Sequence, residues 1–403
     1  MNNISKDKNK IEEALTRSIQ SVYPSKEEAM IKFIKGEPLK FYYGIDPTGP
    51  QIHLGHTVQL LFLKRLQKLG HKVILLIGDF TAKIGDPTGK DTLRKPLSDE
   101  EVKVNMETYI NQIYKILPKG SFEVVYNSTW LKSMTFDDVI KLASSFTVQQ
   151  MLVRDMFQKR IKEEKPIGVH EFLYPLMQAY DSVVLEADGE VGGNDQMFNM
   201  LAGRTLEDIY LKKDKIVVTT KLLEDPSTNK KMSKSEGNLI AIMDSPDDMY
   251  GKIMSGVSDE MIPIVFELCT EKDITWVKKR EEDIQAGENP INFKKELAEE
   301  IIIMYHGSEA PALAREYFEN VFKNKENPED APTIVVNKEM EITDLLTKNK
   351  IVTSKSEAKR LVDQGGIKIS GVIIKKWGDL IKISDGEILQ VGPRKFFKLQ
   401  IGD

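Results

Sequence analysis

The fold is decided between Leu39 and Phe80, LKFYYGIDPTGPQIHLGHTVQLLFLKRLQKLGHKVILLIGDF. LKFYYGI has the bulky, aromatic composition of a strand, and Thr57–Leu69 is leucine-rich, with Gly70 placed to cap a helix at its C-terminus. KVILLIGDF is a continuous apolar run, the pattern of a strand covered on both faces. Strand, helix and strand within about 40 residues predict a βαβ unit. Its crossover is expected to be right-handed, which makes the sheet parallel and doubly wound, an α/β fold.

Further strands are expected at FEVVYN and KIVVTT. The first 35 residues place Ile11, Leu15, Ile19 and Val22 at helical spacing and predict an amphipathic helix. From about Ser245 to Phe322 strand signals fade, and FKKELAEEIIIMYHG and APALAREYFENVF predict an all-helical region. KNKENPEDAPT (Lys323–Thr333), charged and proline-bearing, reads as a linker. Beyond it, SKSEAKRLVDQGGIKISG opens with Ser354 and Glu357 at capping-box spacing and stops at Gly365-Gly366. Ala358, Leu361 and Val362 line one face of that helix, and Lys355, Lys359 and Arg360 are expected to be exposed on it. The expected domains are 1–240, 241–330 and 331–403.

The chain has 403 residues, 40% hydrophobic and 30% charged, with a net charge of -5 and one cysteine, Cys269, which can form no internal disulfide. The opening MNNISKDKNKIEEAL carries charge where a signal peptide needs an apolar core, and runs such as VILLI are too short to span a bilayer. A cytoplasmic, multi-domain protein is expected. The last 63 residues, from Glu341, carry 12 Lys and Arg against 8 Asp and Glu, so a basic tail follows an acidic body. Such asymmetry suggests an anionic partner for the tail, or is a chance fluctuation.

Several elements could carry chemistry. His53 and His56, two of five histidines, sit where the first strand hands over to its helix, at the sheet edge where open α/β folds bind ligands. Gly55 between them leaves room for a close approach. Two imidazoles there could donate to a phosphate whose charge grows in a transition state; they could also be satisfied surface histidines. Zinc suits the pair less well, for want of a third ligand. KMSKS (Lys231–Ser235) suits a mobile clamp on a polyphosphate, or is a solvated lysine loop.

GDFTAKIGDPTGK is not a P-loop: Gly85 and Gly89-Lys90 are one residue too close, and Asp91 follows the lysine. Asp86, in its Gly-Asp-Pro turn, is a candidate partner for an ammonium group or an ordinary turn aspartate. LYPLMQAYDSV places Tyr174, Gln178 and Asp181 on one helical stripe, as for a buried polar ligand or a solvated face, and Pro175 predicts that the helix begins there. VGGNDQMFN offers Asn194, Asp195 and Gln196 to ribose hydroxyls or a carboxylate, or is a polar turn.

In this order the elements resemble the class I aminoacyl-tRNA synthetases, most closely those of bacterial tyrosyl type. HLGH is similar to the first class motif and KMSKS matches the second; YYGIDPT, GDPTGK, YPLMQAYDS and GGNDQ are similar to the tyrosine-specific blocks. SKSEAKRLVDQGGIKISG and LQVGPRKFF resemble a small RNA-binding domain of a ribosomal small-subunit protein. The resemblance implies a Rossmann-like catalytic domain, a helical anticodon-binding domain and that small RNA-binding domain, with Lys355, Lys359 and Arg360 toward RNA. It implies ATP-dependent charging of tRNA(Tyr) with L-tyrosine, magnesium accompanying ATP, and a homodimer built around SSFTVQQMLVRDMF.

It further implies that Tyr42 and Asp181 bind the substrate phenol, and that Asp86, Tyr174 and Gln178 hold its amino group, with Gln196 near its carboxylate. Gly44, Asp46, Gly55 and Asp195 would meet adenosine, and His53, His56, Lys231 and Lys234 the phosphates. Tyr43, where many relatives have cysteine, and Glu190, in place of a frequent glutamine, depart from the pattern. The alternatives are a tryptophanyl-type synthetase, another nucleotidyl transferase with a His-x-Gly-His site, and a non-catalytic RNA-binding paralogue.

Overall fold

The computed structural model describes all residues except 1–3, 89–96, 229, 233–238, 321–330, 353, 393–394 and 403, and the side chains of residues 230 and 231. It divides into two compact units, one of residues 1–244 with 253–307, the other of 245–252 with 308–403. The helices Met261–Cys269, Ile274–Gln285 and Pro290–His306 thus belong to the same unit as the sheet.

Among the described residues of the first unit, six strands build the main sheet: β1 (Ile19–Tyr23), β2 (Lys40–Ile45), β3 (Lys72–Ile77), β4 (Glu123–Tyr126), β5 (Gly189–Gly193) and β6 (Ile216–Thr220). Their order is β1-β6-β5-β2-β3-β4, parallel throughout except for antiparallel β1 at the edge. Successive strands run outward from β2 through β3 to β4, and from β5 to β6 on the other side. Chain direction across the sheet therefore reverses between β2 and β5, where an open α/β sheet leaves a crevice at its carboxyl rim. β3 is buried at every residue from Val73 to Ile77, as its unbroken apolar run requires.

Alternation along β2 sends neighbouring side chains to opposite faces. The Phe41 ring meets Phe33 of the helix Lys26–Ile34 at 5.7 Å, whereas the Tyr42 hydroxyl meets Ser182 of α2 (Val169–Leu185). Helices thus cover both faces, as doubly wound topology demands. The crossover from β2 to β3 is α1 (Leu54–Lys68), ended by Gly70 at φ +94°. α3 (Met197–Leu211) packs on α2 and on β5 and β6.

The expected N-terminal helix is corrected: Lys8–Ala14 and Lys26–Ile34 are helical, but Ile19 and Val22 lie in β1. Ser18, at φ +60°, breaks the helix, and Pro24 disfavours helix at Tyr23, leaving the segment to pair with β6. α2 does not begin at Pro175 but six residues earlier, its first turns held by burial of Glu171, Tyr174 and Pro175. The glycine-rich GEVGG, not among the strands expected from the sequence, is β5; the Phe41 ring occupies the place a Gly189 side chain would need.

In the second unit a five-stranded sheet (Thr333–Val336, Ile367–Ile369, Val372–Ile373, Ile388–Val391, Lys395–Ile401) packs on the helices Ile342–Lys348 and Lys355–Asp363. Ser354 caps the second helix by accepting from the Glu357 N–H at 3.2 Å, and Ala358 and Val362 are buried. Lys355 and Arg360 are exposed. Lys359 is not: it is half-buried, its Nζ 3.9 Å from the centroid of the Trp377 ring, a cation–π contact that draws it back to the surface.

Candidate active site

A cavity of about 390 Å³ opens at the β2–β5 reversal. Its wall includes Tyr42, Gly44, Asp46, His53, Gly55, His56, Asp86, Tyr174, Gln178, Asp181, Asp195 and Gln196. Residues picked from five separated stretches of sequence are therefore brought to one place. Met232, between the two lysines of KMSKS, also lines it. The backbone of Lys231 pairs with Glu224, whereas the Lys231 side chain and all of Lys234 lie outside the described residues.

The histidines are fixed by the helix they precede. His53 is the N-cap of α1, its Nδ1 accepting from the Gly55 N–H at 3.1 Å. His56 Nδ1 accepts from the His53 N–H at 3.3 Å, so the two complete a reciprocal capping box. Burial lowers the pKa of His53 to about 4 and, with help from His53, that of His56 to about 3. Both rings are neutral at pH 7, and a neutral ring whose Nδ1 accepts carries its proton on Nε2. The cap thereby sets the tautomer and leaves two Nε2–H donors. The room expected beside Gly55 is taken by His53 itself, whose ring lies about 3 Å from where a Cβ would stand.

Asp181 is fully buried and its oxygens accept from the Trp130 indole N–H at 2.8 Å and the Asn127 amide at 3.3 Å. Burial pushes its carboxyl well above the usual range, partly offset by those two donors. Asn127 and Trp130 had no signal beyond following the strand FEVVY; only folding brings them under α2. Tyr42 is likewise fully buried, its hydroxyl 2.7 Å from Ser182 Oγ. Glu190, beside Tyr42 in the β2–β5 register, forms a buried ion pair with Lys215 at 2.5 Å.

Asp46 receives the Tyr174 hydroxyl at 2.9 Å and the Thr81 hydroxyl at 2.7 Å. Asp86 is an Asx turn closed by Thr88, and its second oxygen accepts from Gln196 Nε2 at 2.7 Å. Gln178 donates its amide N–H to Glu190 at 3.2 Å, and its buried Oε1 meets no donor among the described residues. A buried acceptor beside Tyr174 and Asp86 suits an ammonium group. No group of three or more His, Cys, Asp and Glu among the described residues has the arrangement of a metal site. No helix among them is long and apolar enough to cross a membrane.

Residues 35–323 match the family of class I tRNA synthetases for tryptophan and tyrosine. The chain belongs to that family. It is 46% identical over 385 residues to tyrosine–tRNA ligase 2 of Clostridium acetobutylicum, covering 93% of this chain and 94% of that protein. It is 44% identical over 380 residues to tyrosine–tRNA ligase of Thermotoga maritima, covering 94% of each. A C-terminally truncated mitochondrial tyrosyl-tRNA synthetase of Aspergillus nidulans shares the fold, with a TM-score of 0.62 at 23% identity, over 78% of this chain and 94% of that one. The resemblance read from the sequence motifs is borne out. As a class I synthetase the chain is an ATP-using ligase.

Proposed function

We propose that this synthetase is a tyrosine–tRNA ligase, which activates L-tyrosine with ATP to tyrosyl-adenylate plus pyrophosphate and then passes the tyrosyl group to the 3′ end of tRNA(Tyr), releasing AMP. The observation that carries the reading is one cavity that holds both Asp181 with Tyr42 and the two neutral histidines. A phenol hydroxyl both donates and accepts, which suits the pair of Asp181 and Tyr42. Gln178, Tyr174 and Asp86 meet the α-ammonium and Gln196 the carboxylate. Gly44, Asp46, Gly55 and Asp195 meet adenosine.

The substrate's own carboxylate is the nucleophile, so no serine or cysteine is required. A carboxylate oxygen bonds to the α-phosphorus while the bond to the bridging oxygen of pyrophosphate breaks. His53 and His56 aim Nε2–H donors at the growing charge, with Lys231 and Lys234 on the leaving group; alignment and fixed donors supply the acceleration. Magnesium travels with ATP as part of that substrate.

The reading keeps the three-part division, with 241–330 as the anticodon-binding domain. Lys355, Lys359 and Arg360 contact RNA backbone, with salt-dependent affinity. A homodimer is supported by apolar side chains left in water around the stretch 144–157: Val148 is 63% exposed, Val153 72% and Val169 78%. With tRNA as its partner the enzyme works in the cytoplasm. Tyrosine-dependent exchange of labelled pyrophosphate into ATP tests the reading. Exchange that needs tryptophan instead would favour the tryptophanyl alternative, and exchange with neither a non-catalytic RNA-binding role.

A further inference from the structure

At the amino-acid end of the cavity Glu190 lines the wall, and behind it lies a buried polar chain of Lys215 and Ser182. Lys215 is 0% and Glu190 2% exposed. Lys215 Nζ donates to Glu190 Oε2 and to Ser182 Oγ, each at 2.5 Å, and sits 5.6 Å from the centroid of the Tyr42 ring. We propose that this ion pair is a positioning device: it decides which hydrogen-bonding atoms Tyr42 and Gln178 present to the cavity. It thereby sets both the preference for a phenol over a plain phenyl ring and the hold on the ammonium group. The proposal rests on the tyrosine reading of the site and extends it to Lys215 and Ser182, which do not line the cavity.

Proton accounting carries the argument. An ammonium has three donors and no acceptor, and an ionised carboxylate only accepts. Ser182 Oγ therefore accepts a hydrogen bond from Lys215 and has one hydrogen of its own to place. Tyr42 oxygen lies at 2.7 Å and Glu190 Oε2 at 3.5 Å, so the hydrogen goes to Tyr42. Tyr42 then accepts from Ser182, and its own hydrogen, which otherwise has Glu190 within reach, turns to the cavity as a donor when a phenol oxygen arrives. Asp181, whose oxygens already accept from Trp130 and Asn127, takes the phenol hydrogen.

The other end of the pair works the same way. Glu190 Oε1 accepts from Gln178 Nε2, which fixes the amide so that the buried, donorless Oε1 is left for an ammonium. α3 makes space for the pair with Gly203: a Cβ there would lie 2.5 Å from both Lys215 Nζ and Ser182 Oγ. Remove Lys215, and Ser182 loses its donor, so Tyr42 is free to give its hydrogen downward and face the phenol with lone pairs only.

The test compares the full-length enzyme with Ser182→Ala, Glu190→Gln and the double variant Lys215→Met/Glu190→Leu, which leaves no lone buried charge. Steady-state exchange is measured with tyrosine, phenylalanine and ATP varied in turn. For the double variant the KM for tyrosine should rise tenfold or more while that for ATP moves less than twofold. Its tyrosine-over-phenylalanine ratio of kcat/KM should fall ten- to hundredfold. Ser182→Ala should lower that ratio and also the melting temperature, because the buried Lys215 ammonium loses an acceptor, and Glu190→Gln should raise the KM for tyrosine with the ratio largely kept. A folded double variant with ratio and KM within twofold of the parent would overturn the proposal. If the double variant does not fold, an unchanged ratio in Ser182→Ala overturns it alone. A parent enzyme without tyrosine-dependent exchange sinks the tyrosine reading itself.

Discussion

The cap that His53 makes and the donor role proposed for it can be separated by substitution. Its Nδ1 caps α1 and its Nε2–H is one of the donors assigned to the phosphate. Replacing it with alanine removes the cap, at a cost of about 1 kcal/mol. In a unit of about 300 residues that lowers the melting temperature by about 1–2 °C. Removing a donor from a developing oxyanion costs more, about 2.7–4 kcal/mol, or a factor of 10² to 10³ in rate. Serine restores a good cap but is too short to reach the phosphate. His53→Ala should therefore lose both properties, whereas His53→Ser should melt near the parent and still lose pyrophosphate exchange by 10² to 10³. Scanning calorimetry and exchange assays at 25 °C on both variants read the two effects separately. A His53→Ser enzyme within tenfold of the parent in exchange would refute the donor role and leave His53 as a cap alone.

Asp181→Ala should abolish tyrosine activation, and it should also lower the melting temperature, because the Trp130 and Asn127 donors lose their acceptor at about 1–3 kcal/mol each; exchange within tenfold of the parent would contradict its role. The pair Arg160–Glu171 is buried, with Arg160 0% exposed and Glu171 also accepting from the Gly168 N–H at 2.7 Å. Arg160→Met alone should destabilise by about 3–5 kcal/mol by stranding that carboxylate, and Arg160→Met/Glu171→Leu should recover much of it in urea melts; a single variant as stable as the double would sink this account. His53, His56 and His71 have folded pKa values lowered to between about 3 and 4 by burial, against about 6.5 when unfolded. The unfolded chain then binds more protons below pH 6.5, so their linkage leaves stability flat above that pH and erodes it as pH falls toward 4. Replacing His71 with a neutral isostere such as Gln should lessen that acid slope in chemical melts.

Much of this was legible because period and order survive in sequence. Leu39–Phe80 gave strand, helix and strand with residues 41–77 in the expected elements, and the stripe Tyr174, Gln178, Asp181 lies on one helix facing the cavity. Three kinds of information were not local. β1 is a strand only because β6 offers an edge, so Ile19 and Val22 read as helix until a partner is known. β5 is almost all glycine and valine, and is held by burial between neighbours rather than by propensity. Lys215, in no motif, and Ser182, the last residue of YPLMQAYDS, are 33 residues apart and meet only when α2, β5 and β6 converge. The histidines were legible as a site, but their tautomer depended on the cap geometry of α1.

The bond between Tyr174 and Asp46 ties a residue assigned to the amino acid to one assigned to the nucleoside. The two halves of the crevice are consequently not separate compartments. Whichever substrate arrives first and claims one of these atoms alters what the other atom has left to offer. Thermodynamic reciprocity then requires tyrosine and ATP to change each other's affinity by an equal factor. Calorimetric titration of each with the other absent and saturating, using a non-hydrolysable ATP analogue, measures that factor; a value of one in the parent would mean the tie is broken by neither guest.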